Sequence, residues 1–175
     1  MSLRRNSMKR KLALQGVLMF VAAFSISIGS FGNRSVAYAQ DIKPQTVTYG
    51  EVGGEKLVLD VYQPAASDGP LPAVIVIHGG AGSFGDRSGE SDRAQGLAAN
   101  GYVAFNIDYR LLDGGKNPWP AQIEDAQLAV RWVRANAKQY NVDPDRLCSL
   151  GHSFGGELAA LLGERDTPTG GDVVL

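Results

Sequence analysis

The sequence predicts an α/β fold in which a mostly parallel sheet is covered by helices. One observation is the continuous apolar run Ala73–Ile77, which is typical of a strand buried on both faces of a parallel sheet. A second is that predicted strands and helices alternate after this run, as in right-handed βαβ units. A third is the composition, because 44% hydrophobic and 20% charged residues in a chain of 175 indicate about one globular domain.

The elements before this apolar run predict an antiparallel hairpin. Two strands between Thr46 and Gln63 flank the turn residues Gly53 and Gly54. Along the second strand the residues alternate between two faces, Leu57, Leu59 and Val61 on one and Val58, Asp60 and Tyr62 on the other.

The elements after the run are predicted in the order helix, strand, helix, strand, helix. We expect a short helix at about Ser91–Asn100, strands at Val103–Ile107 and Leu147–Leu150, and a last helix at Glu157–Arg165. The long helix between the two strands has apolar residues spaced three and four apart, namely Ile123, Ala126, Val130, Val133, Ala137 and Tyr140. Asp143-Pro144-Asp145 predicts the turn into the following strand.

Residues 1–39 have the pattern of a secretory signal peptide. Basic residues precede an apolar run from about Leu12 to Ile28, and Ala37-Tyr38-Ala39 fits an A-x-A cleavage site. The alternative, an uncleaved membrane anchor, is disfavoured because the run contains Gln15 and several Ser and Gly residues. We therefore expect cleavage after Ala39 and a secreted or periplasmic protein, with residues 40–175 forming part of one domain.

Charge and cysteine content exclude several classes of partner. Residues 1–39 hold six of the 17 Lys and Arg residues and none of the 18 Asp and Glu residues, so 11 basic and 18 acidic residues remain. This acidic balance disfavours nucleic acid as a partner. Cys148 is the only cysteine, which excludes an intramolecular disulfide and a cysteine-based metal site, and we expect it to be a buried small hydrophobic residue. Neither a metal nor an organic cofactor is indicated.

The segment Gly151-His152-Ser153-Phe154-Gly155 matches the pattern G-x-S-x-G between a predicted strand and a predicted helix. Such a sharp turn holds its central residue in strained backbone geometry, and the flanking glycines remove side chains that would collide. We therefore predict Ser153 as an exposed nucleophile, assisted by the positive end of the helix that follows. A chance match in a Gly/Ser-rich turn is the alternative, and the strand-turn-helix context disfavours it.

A second motif, His78-Gly79-Gly80-Ala81-Gly82, begins where the buried strand ends. Ester hydrolysis passes through a tetrahedral oxyanion, which backbone N–H groups stabilise, and glycines let the backbone approach that oxygen closely. We predict that the N–H groups of Gly79 or Gly80 and of Phe154 form this oxyanion hole. The alternative, a plain flexible loop, is disfavoured by the presence of the Ser153 motif.

Together these motifs resemble the α/β-hydrolase fold, and within it the esterase/lipase group that carries an H-G-G-G type oxyanion loop. The chain also looks similar to bacterial proteins related to feruloyl and acetyl-xylan esterases. Further matching stretches extend the resemblance over about residues 57–165, namely Asp108–Leu111, Pro118–Pro120, Glu124–Ala126 and Asp143–Leu147. Ala81 departs from the third glycine of the loop, and His152 and Phe154 depart from residues common in the turn.

The resemblance implies that residues 40–175 are the N-terminal part of an α/β-hydrolase domain. It also implies hydrolysis of small-molecule or carbohydrate-linked carboxylic esters through a serine acyl-enzyme. In the family the catalytic Asp or Glu and the His follow the serine on later loops, whereas only Asp166–Leu175 follow Arg165 here. We therefore expect an incomplete copy that is inactive alone, with an unpaired edge on its last strand and a tendency to associate.

The remaining polar residues are expected to have structural roles. His152 is the immediate neighbour of Ser153 and His78 opens the oxyanion loop, so neither is a credible base for the serine. Asp125 is expected to interact with a helix dipole and cap, and Asp108-Tyr109-Arg110 to be buried scaffold that anchors a loop.

Two other functions fit parts of the sequence. A serine peptidase of the prolyl-oligopeptidase type shares the turn around Ser153. A non-catalytic secreted fragment could bind a ligand or partner through the same pocket.

Overall fold

The computed structural model describes residues 42–164. Within this range the chain forms five strands, three α-helices and one 3₁₀ helix, in the following order: β1 Gln45–Val52, β2 Glu55–Tyr62, β3 Leu71–Ile77, the 3₁₀ helix Arg87–Glu90, α1 Ser91–Ala99, β4 Val103–Ile107, α2 Ala121–Ala135, β5 Val142–Gly151 and α3 Phe154–Glu164. The predicted signal peptide, residues 1–39, lies outside the described residues. No helix in the described range is long and apolar enough to cross a membrane.

The five strands form one sheet in the order β1-β2-β4-β3-β5. β1 and β2 are an antiparallel hairpin, and β2 pairs antiparallel with β4. β3 lies between β4 and β5 and is parallel to both, so the ends of β3 and β5 meet at one edge of the sheet. The predicted α/β fold with an N-terminal hairpin is confirmed.

Apolar side chains cover both faces of β3, because every residue from Ala73 to Ile77 is buried. On one face Ile75 and Ile77 pack with β2, β4, α2 and α3, in the larger core. On the other face Val74 and Val76 pack with Ala94 and other small residues of the α1 side. The continuous apolar run therefore reflects burial on two faces, as predicted.

The long helix ends earlier than its apolar spacing predicts. α2 stops at Ala135, where the Asn136 side-chain amide donates to the Trp132 carbonyl oxygen. Ala137 and Tyr140 lie in the turns that follow but remain buried, and the Tyr140 ring meets Phe105 edge-on at 5.6 Å between centroids. The spacing thus correctly predicted burial but not helical hydrogen bonding for these residues.

The strand β5 begins earlier than predicted and contains the predicted turn. Its pairing with β3 jumps from Leu71–Val142 to Ala73–Leu147, so the segment Asp143-Pro144-Asp145 lies in an irregularity of the strand. There the Asp145 N–H donates to the Asp143 carboxylate at 3.1 Å. The turn chemistry is present, but within β5 rather than before it.

The expectation that Cys148 is buried is wrong, because its side chain is exposed. Cys148 pairs with Val74, so it belongs to the sheet face on the α1 side. Among the described strands β5 lies at the sheet edge, whereas α1 packs mainly on β4 and β2. The helix layer therefore leaves this position of β5 open to solvent.

Candidate active site

The turn around Ser153 connects β5 to α3 with two residues between them. Ser153 is exposed and has a φ of 53°, in the left-handed region that residues with a side chain rarely adopt. A methyl group at Gly155 would overlap the Ile77 carbonyl oxygen and lie 2.5 Å from that of His78. A methyl group at Gly151 would lie 2.8 Å from the Gly156 nitrogen. The predicted strain and the predicted need for both glycines are confirmed in the geometry.

Helix α3 starts directly after Ser153, at Phe154. Its first backbone N–H groups have no acceptor inside the helix, and the helix dipole makes this end positive. The Phe154 N–H lies in this first turn, whereas the Glu157 N–H is bound by the Ser153 carbonyl oxygen at 3.1 Å. The helix start can therefore stabilise negative charge beside Ser153.

The glycine loop after β3 lies directly against this turn. A methyl group at Gly79 would be 3.0 Å from the carbonyl oxygen of His152, and one at Gly82 would be 3.0 Å from the ring of Phe154. Gly80 has a φ of 113°, and its carbonyl oxygen accepts the N–H of Phe84 at 3.1 Å. The structure therefore brings together the segments of Gly79, Gly80 and Phe154.

Ala81, which stands where the related loops have a third glycine, adopts a φ of 50°. A left-handed conformation costs a residue with a side chain about 1–2 kcal/mol. Hydrogen bonds hold the loop on both sides of Ala81, and on one side the Gly80 carbonyl oxygen accepts the Ser83 N–H at 2.9 Å. The Gly82 carbonyl oxygen accepts the Leu112 N–H at 2.7 Å, from the segment after β4.

His78 supports the loop from inside, as predicted. Its ring is buried, and Nδ1 lies 2.7 Å from the Gly79 carbonyl oxygen, to which it donates. The ring stacks on Tyr109 at 4.3 Å between centroids, and the Tyr109 hydroxyl donates to the His78 carbonyl oxygen at 3.0 Å. Burial, and next the charge of Asp108, raise the pKa of Tyr109 to about 12. Tyr109 therefore remains a neutral hydrogen-bond donor.

Asp108 anchors the far end of the glycine loop, as predicted for the Asp-Tyr-Arg cluster. Its carboxylate accepts the backbone N–H of Arg87 at 2.7 Å and pairs with the Arg87 guanidinium. The same guanidinium contacts Asp60 on β2 at 2.9 Å. Arg87 thus links the end of the loop to β2 and to the residue that follows β4.

Asp125 does not cap a helix, contrary to the capping role expected for it. Its carboxylate is only 1% exposed and binds the Arg110 guanidinium, with one contact of 2.7 Å, and the Arg110 backbone N–H at 2.9 Å. Asp125 is the fifth residue of α2 and carries no cap hydrogen bond. Its partner sits on the segment after β4, so the ion pair fastens that segment to α2.

His152 and Glu90 form a contact that was not predicted from the sequence. His152 Nδ1 lies 2.6 Å from Glu90 Oε1, although the two residues are 62 positions apart. A cavity of about 290 Å³ lies beside them, lined by Gly79, Gly80, Phe84 and both partners among others. No periodicity or motif in the sequence links positions 90 and 152.

Within residues 42–164 the Ser153 hydroxyl has no histidine hydrogen-bonded to it. His78 Nδ1 is bound to Gly79 and His152 Nδ1 to Glu90. A larger cavity of about 510 Å³ is lined by His78, Tyr109, Lys56 and several carboxylates, among other residues. No group of three or more His, Cys, Asp or Glu side chains in this described range is arranged to hold a metal ion.

A serine at positive φ between a parallel strand and a helix, faced by a glycine loop from the neighbouring strand, defines the class of esterase-like α/β-hydrolases. The chain belongs to the BD-FAE family, whose family model matches residues 59–170.

Known relatives agree with this class. The chain is similar to the carboxylesterase NlhH of Mycobacterium tuberculosis, at 31% identity over 158 residues, covering 87% of this chain and 49% of that protein. It is also similar to the solved thermophilic esterase of Thermogutta terrifontis, with a TM-score of 0.65 and 29% identity over 70% of this chain and 45% of that one. The same esterase phosphorylated by paraoxon matches with a TM-score of 0.63 and 30% identity, over 67% of this chain and 46% of that one. The chain thus spans about half the length of these relatives.

Proposed function

We propose that the protein hydrolyses carboxylic esters, with Ser153 as the nucleophile. The observation that carries the proposal is the contact between the Ser153 turn and the loop of Gly79 and Gly80. This contact places the exposed Ser153, the N-terminus of α3 and the backbone of the glycine loop next to one another. The esterase relatives support the same reaction.

In the proposed reaction the Ser153 oxygen bonds to the acyl carbon of the ester and its proton passes to a base. The oxygen of the tetrahedral intermediate accepts hydrogen bonds from the N–H of Phe154 and from that of Gly79 or Gly80. Each such donor contributes about 3–4 kcal/mol to the stabilisation of the transition state. The bond to the alcohol then breaks, the alcohol leaves with a proton, and water releases the acid and restores the serine hydroxyl.

We propose further that neither histidine of this chain is the base. His78 is buried beneath the loop and its Nδ1 is bound to Gly79. Glu90 holds His152 at Nδ1, and the other ring nitrogen of His152, Nε2, lies against Gly79. A serine with an oxyanion hole but no triad base retains catalysis of about 10³–10⁴-fold over water. We therefore expect this chain alone to react slowly and far below the rate of an enzyme with a complete triad.

A fluorophosphonate probe tests the role of Ser153, and the paraoxon-phosphorylated esterase of T. terrifontis makes organophosphorus reagents a suitable choice. The purified protein is treated with the probe and the label is located by mass spectrometry. We expect slow labelling at Ser153 that disappears in Ser153→Ala. The half-buried Ser149, whose hydroxyl donates to the Ala159 carbonyl at 3.0 Å, provides a matched control in Ser149→Ala.

Three results would contradict the proposals on Ser153 and on the base. Labelling of another residue, or no labelling in a sample that unfolds cooperatively, would remove Ser153 as the nucleophile. Rapid labelling that is lost in His78→Gln or in His152→Gln would instead make that histidine the base.

For localisation we propose export, with residues 1–39 removed after Ala39. The basic start, the apolar run and the Ala37-Tyr38-Ala39 site support this. Mass spectrometry of the exported protein should give an N-terminus at Gln40. An intact chain that stays with the cytoplasmic fraction would contradict export.

A further inference from the structure

A buried carboxylate lies beside the candidate site and has no part in the proposed reaction. Glu90 ends the 3₁₀ helix that follows the glycine loop, and it is only 3% exposed. Burying a carboxylate away from water is unfavourable unless partners compensate its charge. The contacts of Glu90 must therefore compensate the burial of its charge.

Both oxygens of Glu90 are bound by side chains that reach inward from the surface. Oε1 lies 2.6 Å from His152 Nδ1 and Oε2 lies 3.0 Å from Arg93 Nε. The His152 and Arg93 side chains are 58% and 45% exposed. Because a carboxylate accepts hydrogen bonds, Nδ1 of His152 carries the proton and the orientation of the ring is set.

The oriented ring lies against the oxyanion loop. A methyl group placed at Gly79 would be 2.9 Å from His152 Nε2 and 3.2 Å from Cε1. Glu90 therefore contacts His152, and His152 in turn contacts Gly79. Glu90 belongs to the segment that follows the loop, whereas His152 belongs to the turn that carries Ser153.

We propose that Glu90 and His152 form a positioning pair that fixes the oxyanion loop against the Ser153 turn. This inference rests on the proposed function, because the loop and the turn supply the two halves of the hole. The donors come from different segments, Gly79 or Gly80 on one and Phe154 on the other. Their spacing must match one oxygen atom, and a misplacement of about 1 Å can cost about 100-fold in rate.

The backbone amides of the loop report on this role without any need for activity. The test compares the ¹⁵N-glycine spectra of the full chain and of Glu90→Ala, with Asp92→Asn as the control. Asp92 is an exposed carboxylate two residues further along, in helix α1, which begins directly after Glu90. We expect the Gly79 and Gly80 peaks to shift or broaden in Glu90→Ala and to stay in place in Asp92→Asn. Unchanged Gly79 and Gly80 peaks in a folded Glu90→Ala protein would overturn the inference.

The ring of His152 gives a second readout. With the ring neutral at alkaline pH, its ¹⁵N shifts should show the proton on Nδ1 in the wild type. Glu90→Gln retains an oxygen acceptor for that proton and should preserve the tautomer, whereas Glu90→Ala should lose it. A wild-type ring protonated on Nε2 would contradict the pair.

The labelling rate connects the pair to the reaction. We expect labelling of Ser153 to slow by about tenfold or more in Glu90→Ala, to recover partly in Glu90→Gln and to be unaffected by Asp92→Asn. If the wild type is not labelled at all, the proposed function fails, while the amide spectra still decide whether the pair positions the loop.

Discussion

The hairpin turn and the Ser153 turn both depend on glycines, but for different reasons. Gly53 and Gly54 have φ values of 60° and 83°, and a methyl group at either would meet nothing within 4 Å. At the Ser153 turn the serine itself takes the positive φ, whereas Gly151 and Gly155 leave room for neighbouring backbone. The hairpin therefore needs only conformational freedom, and the candidate site needs space. Substitutions can separate these two requirements.

The largest effect is expected from Gly155→Ala. The added methyl group would overlap the Ile77 carbonyl oxygen, and backbone at the end of a central strand cannot move away easily. We expect a loss of more than about 4 kcal/mol in the free energy of unfolding, measured by urea denaturation.

A control lies in the same helix. A methyl group at Gly163 would meet nothing within 4 Å, so Gly163→Ala should raise the free energy of unfolding by about 0.5–1 kcal/mol through helix propensity. Equal losses from both substitutions would mean that space at Gly155 is not the deciding factor.

The second-largest effect is expected at the Asp125–Arg110 ion pair, which fastens the segment after β4 to α2. Asp125→Ala leaves the Arg110 guanidinium without its buried partner, so we expect a loss of about 3 kcal/mol in urea denaturation. Glu124→Ala is the control, because Glu124 is exposed and its contact with Arg110 is 3.9 Å long. Its effect should stay below about 1 kcal/mol. A small effect of Asp125→Ala would show that the segment after β4 is held by other contacts.

A smaller effect is expected from Tyr109→Phe, which removes the hydroxyl donor to the His78 carbonyl oxygen. At neutral pH the loss should be about 1 kcal/mol. Tyr102→Phe, at an exposed tyrosine, should change stability much less.

The difference in stability between the wild type and Tyr109→Phe should also depend on pH. The raised pKa of Tyr109 decides whether this difference grows or shrinks as the pH rises. An unfolded tyrosine titrates near pH 10, whereas Tyr109 in the folded protein titrates at about 12. The folded state keeps its proton in this window while the unfolded state loses it, so the stability from Tyr109 falls as the pH rises from about 10 to 12. The wild type and Tyr109→Phe should therefore converge in thermal unfolding across that window. A constant gap would contradict the assignment.

Effects no larger than that of Tyr109→Phe are expected in the hairpin. Gly53→Ala should cost about 1 kcal/mol because a side chain disfavours positive φ, and Gly53→Asn should cost less because asparagine tolerates that region. Thermal unfolding of both variants would measure the difference. A loss at Gly53 as large as at Gly155 would remove the distinction between the two turns.

Features that depend on local pattern could be predicted from the sequence. The apolar run of β3 predicts burial on both faces, and the glycines around Ser153 predict a tight turn. In both cases a few neighbouring residues are enough for the prediction. The spacing that ends in Tyr140 predicted burial correctly, but it does not distinguish a helix from a turn packed on the same core.

Features that depend on distant partners could not be predicted. The exposure of Cys148 follows from the position of β5 at the edge of the described sheet, and no single segment specifies the strand order. Arg110, the partner of Asp125, and His152, one of the two partners of Glu90, lie on other elements, and charge patterns identify a partner only when both residues share one helix face. The roles of Ser153, Gly79, Gly80 and Phe154 remain predictions that the labelling experiment tests.

The strand order also determines when the site can form during folding. The β1–β2 hairpin joins neighbouring residues, and such hairpins close in about 1–10 μs. Gly79 follows β3 and Ser153 follows β5, and these two strands are joined by the longest-range pairing of the described sheet. Long-range parallel pairing is slow because a large loop must close first. A folding intermediate without this pairing would already contain the hairpin, but its Gly79 loop would not yet lie beside Ser153.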